Sequence, residues 1–140
     1  MNGRMMQMPL TIPSLIEHAD RWHPRTEIVS RLPEGGTHRY GWRDAHARAR
    51  RLANALAALG VKPGARVGTL AWNSHRHLEL YYAVSGSGAI CHTVNPRLFP
   101  EQVAYVANHA EDRVVIVNAT LVPALAKALP EMRTVEHVIV

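Results

Sequence analysis

Lysine is nearly missing from this chain, cysteine occurs once, and no long apolar run is present. Fourteen of the sixteen basic residues are arginine, and Lys62 and Lys127 are the only lysines. Phosphate-gripping loops that end in lysine therefore have almost no material to be built from. Cys91 stands alone in 140 residues, so an intrachain disulfide is excluded and a reducing cytoplasm fits. It sits in the apolar run Gly88–Val94, which reads as a buried structural thiol rather than a nucleophile. No stretch approaches the ~20 apolar residues of a membrane span. The segment Met1–Leu10 has neither a sustained apolar core nor a small-residue cleavage site, and reads as a flexible tail rather than a signal peptide. Met5 and Met6 serve as well as Met1 for a start. Aromatic residues make up only 6% of the chain, so the core is expected to be aliphatic.

What is present is ordinary for a folded domain: 47% apolar and 19% charged residues. The net charge of +5 is arginine-borne, and five arginines fall between Arg39 and Arg51. No aromatic residues are interleaved with them as a base-stacking surface requires, so nucleic acid is not expected as a partner. A solvated helix face with salt bridges is the expectation instead.

Periodicity divides residues 11–140 into alternating elements. Thr11–Trp22 reads as a helix with Pro13 in its first turn. Glu27–Leu32 and Thr37–Tyr40 read as a hairpin around Pro33-Glu-Gly-Gly36. Arg43–Leu59 carries Ala45, Ala49, Leu52, Leu56 and Leu59 at helical spacing and ends at Gly60. Strands are expected to begin near Arg66, Ala89, Val114 and Val135, with helices over Ser74–Val84, Pro100–His109 and Leu121–Leu129 between them. That interval, roughly 20 to 25 residues, suits a strand-helix-strand crossover. Apolar rather than alternating strands point to burial on both faces of a parallel sheet. The fold expected is α/β, an open and mostly parallel sheet with crossover helices and an N-terminal antiparallel hairpin. The sequence ends at Val140 inside a strand, which reads as a truncated subdomain with an apolar edge that admits a homodimer.

Catalytic signatures mostly fail. Ser85-Gly-Ser-Gly88 has no lysine after it and reads as a helix cap entering a strand. Ser87 lacks the glycine a nucleophile elbow requires. His75 and His77, two residues apart, fall on different helix faces, and the nine histidines read as surface or supporting residues rather than metal ligands. The carboxylates are scattered singly and suggest no acid/base pair. One loop is distinctive: Asn95-Pro-Arg-Leu-Phe-Pro100 follows the carboxyl end of a predicted parallel strand and precedes a helix. Ligands of open α/β sheets gather at that edge, and Arg97 offers a bidentate fork for a phosphate.

The stretch Ala71–Ala110, continuing into Glu111-Asp-Arg-Val-Val-Ile-Val117, resembles the N-terminal domain of medium- and long-chain fatty-acyl-CoA synthetases of the adenylate-forming, AMP-binding superfamily. Tyr40-Gly-Trp-Arg-Asp44 and Gly60-Val-Lys-Pro-Gly-Ala-Arg-Val67 are similar to the same family in order and spacing. His77-Leu-Glu79 and Thr93-Val-Asn-Pro-Arg-Leu98 mark the fatty-acyl branch. The chain departs from the family at Ser85–Gly88, and at Phe99, where many relatives place Ser or Thr. The resemblance implies activation of a fatty-acid carboxylate by Mg-ATP to an acyl-adenylate, followed by transfer to coenzyme A. It implies that the phosphate loop, adenine pocket, acyl tunnel and catalytic lysine lie outside these residues. The chain alone is thus expected to be inactive and to bind no cofactor by itself. It also implies that Asn95 and Arg97 lie near the nucleotide end of coenzyme A. A non-catalytic module that binds coenzyme A or another anion, or dimerises, is the alternative.

Overall fold

The computed structural model describes residues 7–140. The alternative starts at Met5 and Met6, and residues 1–6 of the expected tail, lie outside the described residues; residues 7–10 form no helix or strand. Helix α1 (Ile12–Trp22) is followed by β1 (Glu27–Arg31) and β2 (Thr37–Gly41), then by α2 (Trp42–Ala58). The remainder alternates: β3 (Arg66–Leu70), α3 (His75–Gly86), β4 (Ile90–Thr93), α4 (Pro100–Ala110), β5 (Val114–Val117), α5 (Val122–Ala128) and β6 (His137–Ile139). Short 3-10 turns flank α5.

Strands β1 and β2 pair antiparallel from Glu27 opposite Gly41 to Arg31 opposite Thr37. Gly35 and Gly36 close the turn at φ of 101° and 80°, which a side chain would resist. The other four strands form a parallel sheet in the order β4-β3-β5-β6. One face packs Val67, Val114 and Ile116 against Leu56 of α2 and Leu80 and Val84 of α3. The opposite face packs Leu70, Val94, Val115 and Val117 against α4 and α5 through Val103, Ala107, Leu125 and Ala128.

The expected α/β architecture and its hairpin are both present. Burial on both faces holds for β3 from Val67 onward and for all of β5, and fails for β4 and β6. These are the outer strands of the sheet, and Ile90 and Val138 are 51% and 40% exposed. Cys91 is half-buried rather than fully buried for the same reason. Of the histidines expected at the surface or in supporting positions, His75 and His77 are not at the surface, being only 5% exposed. The two lie on α3 under the hairpin, where His38 stacks on His75 with ring centroids 3.8 Å apart.

Candidate functional site at the carboxyl edge of the sheet

The chain reverses its direction of winding between β3 and β5, so the crossovers leave the sheet on opposite sides there. This is where open α/β sheets receive ligands. The two loops are tied together: Asn118 N–H donates to Leu70 O at 3.1 Å, and Trp72 N–H donates to Asn118 Oδ1 at 2.7 Å. The Trp72 indole N–H adds a bond to Thr120 Oγ1 at 3.1 Å. Beside this tie opens a cavity of about 600 Å³. Its apolar floor comes from Leu52, Leu80, Ile116 and Val117, and its polar wall from Arg48, Arg76, His77 and Glu79.

Ion pairs organise that wall. Arg48 Nε donates to Glu79 Oε1 at 2.7 Å, with the Glu79 side chain only 7% exposed. The carboxylate holds the Arg48 guanidinium more firmly protonated than usual. Arg76 pairs with Glu34 at 2.7 Å, tying the hairpin turn to α3. The Tyr40 phenol is pushed above its ordinary value, first by burial and then by the Glu79 charge. Thr69, wholly buried on β3, lies 3.0 Å from His77 Nε2. Burial lowers the His77 pKa, so the imidazole is neutral near neutrality.

Asn95 and Arg97 lie elsewhere, in the loop after β4, and neither borders the large cavity. The structure brings the two together: Arg97 N–H donates to Asn95 Oδ1 at 3.0 Å, a local turn that stiffens the loop. The Arg97 residue is exposed and makes no ion pair among the described residues. Phe99 cannot cap α4 with its side chain, and Gln102 Oε1 accepts from the Phe99 N–H at 3.1 Å instead. Ser85–Gly88 ends α3, with Gly88 at φ 79°.

Paired groups that sequence spacing did not reveal are present, correcting the expectation of isolated carboxylates. Asp112 Oδ2 lies 2.7 Å from His92 Nδ1, and Asp20 Oδ2 lies 2.8 Å from His46 Nδ1. The partners are 20 and 26 residues apart, so only the crossovers join them. Burial pushes the Asp112 carboxyl up, against the His92 bond, which pulls it down. Among the described residues, no three His, Cys, Asp or Glu side chains converge to hold a metal ion.

Fold and crevice together define an open, doubly wound α/β domain of the kind that takes its ligand at the strand carboxyl ends. The chain belongs to the AMP-binding enzyme family, whose model matches residues 15–140. It is 53% identical over 137 residues to 3-methylmercaptopropionyl-CoA ligase of Ruegeria lacuscaerulensis, covering 98% of this chain and 25% of that protein. It is 50% identical over 136 residues to the medium-chain-fatty-acid–CoA ligase of Ectopseudomonas oleovorans, covering 95% of this chain and 25% of that protein. The crystal structure of the N-terminal domain of FACL13 from Mycobacterium tuberculosis superposes with a TM-score of 0.79 at 26% identity, over 92% of this chain and 33% of that one. The chain spans about a quarter of the length of the curated relatives it matches.

Proposed function

We propose that these residues are the N-terminal part of an ATP-dependent acyl-CoA ligase acting in the cytoplasm on a fatty-acid-like carboxylate. The observation that carries the reading is about 50% identity along nearly the whole chain to proteins named as CoA ligases. In the reaction, a carboxylate oxygen attacks the α-phosphorus of ATP and pyrophosphate leaves. The coenzyme A thiol then attacks the acyl carbonyl, loses its proton, and AMP leaves. A carboxylate is a poor acyl donor until its oxygen belongs to a good leaving group, which is why ATP is consumed. Mg²⁺ accompanies ATP in the complete enzyme, and no step is assigned to it on these residues.

The part played by this chain is support and contact. The sheet and its tied loops present the Asn95–Arg97 turn at the strand carboxyl edge. Arg97, exposed and without an ion pair among the described residues, is assigned to a phosphate at the nucleotide end of coenzyme A, with Asn95 fixing the turn beneath it. With no lysine-ended phosphate loop among them, the 140 residues alone are expected to be inactive.

A chimera tests both parts, with this chain replacing the matching quarter of the Ruegeria lacuscaerulensis ligase. Carboxylate-dependent ATP–pyrophosphate exchange is expected in the chimera and not in the 140 residues alone. Arg97→Ala in the chimera is expected to raise the KM for coenzyme A roughly tenfold, the loss of one charge-assisted contact. Exchange, which needs no coenzyme A, should stay unchanged. Exchange by the short chain, or an Arg97→Ala effect on exchange with none on coenzyme A, would sink the assignment.

A further inference from the structure

Large apolar side chains are not spread evenly over the surface. Among the described residues fourteen are exposed, and five of these, Met8, Leu10, Ile12, Leu15 and Trp22, fall between residues 8 and 22. Helix α1 buries Ile16 against Ala49 of α2 and Ala83 of α3. Leu15 and Trp22, two turns apart, occupy a different side of the helix, with Ile12 one turn before them. At 58% and 66% exposure, Leu15 and Trp22 face solvent. A single surface leucine needs no explanation, but a row of apolar groups along one helix side marks a place of contact.

The charge around this row has one sign. The Arg21 guanidinium lies 5.9 Å from the centre of the Trp22 ring, and Arg25 is exposed in the turn that follows α1. No ion pair among the described residues takes Arg21 or Arg25. Arg43 joins them, because its N–H donates to Pro24 O at 3.2 Å and holds the first turn of α2 against the same turn. The carboxylates nearby are engaged or turned away. Glu17 lines the groove that α1 makes with α2 and α3. Asp20 Oδ2 meets His46 of α2 at 2.8 Å, its other oxygen lies 3.7 Å from Arg43, and Glu27 is paired with Arg39 at 2.6 Å.

We propose that the outer side of α1 docks on an anionic lipid surface, with Leu15 and Trp22 entering the headgroup layer and Arg21 and Arg25 meeting lipid phosphates. Apolar and aromatic groups bordered by cations are what a helix lying in a membrane interface presents. Indole suits that layer, since one part of the ring is apolar and its N–H seeks a polar partner. A second copy of the chain fits the face poorly: a two-fold contact would set Arg21 and Arg25 against their own equivalents. A lipid surface of negative charge answers both the apolar row and the free cations. The inference does not rest on the ligase reading, because it uses neither Asn95 nor Arg97.

The test is co-sedimentation of the 140-residue protein with equimolar phosphatidylglycerol–phosphatidylcholine vesicles, against vesicles of phosphatidylcholine alone. Binding is expected to the charged vesicles, to weaken as salt is added, and to be slight on the neutral ones. Arg21→Gln and Arg25→Gln should each weaken it about fivefold, the share of one cation near a charged membrane. Trp22→Ala should weaken it roughly tenfold through lost apolar burial. All three side chains are exposed, so the variants should keep the parent's unfolding midpoint; should Trp22→Ala not, the two arginine variants decide. Arg133→Gln, which removes the same charge beside α4, should change nothing. Vesicles should also shift the tryptophan emission to the blue in the parent and not in Trp22→Phe. The chimera with the Ruegeria lacuscaerulensis ligase should sediment as well. Equal binding to neutral vesicles, full binding in both arginine variants, or no binding at all would overturn the proposal. So would an exchange-active chimera that stays in solution, because the rest of the ligase then covers this face. Self-association of the parent that Trp22→Ala abolishes would likewise overturn it, in favour of a second copy.

Discussion

A methyl group on Gly68 would stand 2.8 Å from Asp112 Oδ2 and 3.1 Å from its Cγ. The strand gives up its side chain so that a fully buried carboxylate can lie against the middle of the sheet and reach His92. Arg66 fixes the same corner from the other side, donating to Ala110 O at 2.6 Å. Gly68→Ala is expected to destabilise the fold by about 1–3 kcal/mol, the usual range for overpacking a filled core. Urea denaturation measures it. A loss within a few tenths would mean that Asp112 moves aside freely, which a 0% exposed side chain with a short bond to His92 should not do.

At the scale of elements, the hairpin is held to α3 by His38 stacked on His75, by Tyr40 edge-on to His75 at 5.7 Å and by the Arg76–Glu34 pair. His75 faces Ser30 from β1, His38 and Tyr40 from β2, and lies close to Arg48, Arg76 and Glu79. Burial comes first in lowering its pKa below 6.5, with His38 next; Glu79 opposes them. The folded state therefore binds fewer protons than the unfolded one below about pH 6.5, and stability falls as pH drops through that value. Hydrogen exchange of the β1 and β2 amides, corrected for its intrinsic rate, should accelerate on acidification before that of β3 and β5. In His75→Phe the advance should disappear. Elements were largely legible in the sequence, because Pro33–Gly36, the alanine-leucine stripe of α2 and the strand spacing are local signals. Strand order was not, since a right-handed crossover fixes hand but not which neighbour a strand takes, so the exposure of Ile90 and Val138 came only with the sheet. Arg97 was legible as a loop residue after a parallel strand. The wall of the large cavity was not, because Arg48 and Glu79 stand 31 residues apart and meet through packing of α2 on α3.

For the whole molecule, Asp112 and the buried imidazoles set opposing pH trends. Asp112 is held above its ordinary 3.8 by burial, so the folded state keeps that proton longer than the unfolded chain does. Its contribution is full below pH 3.8 and is lost as pH rises through the raised folded value. Asp112→Asn, which can still accept from His92, should remove this loss. Global unfolding followed from pH 4 upward should show the parent losing ground against the variant, and parallel curves would refute the buried-acid account. Among the described residues no helix is long and apolar enough to cross a membrane. The chain also carries its own optical probe. Trp22 is 66% exposed and Trp42 packs edge-on against Tyr82, while the Trp72 indole is bonded to Thr120 across the tie between β3 and β5. With Trp22 and Trp42 replaced by phenylalanine, emission from this one indole would report any ligand that parts the two loops, without a label and on the timescale of mixing.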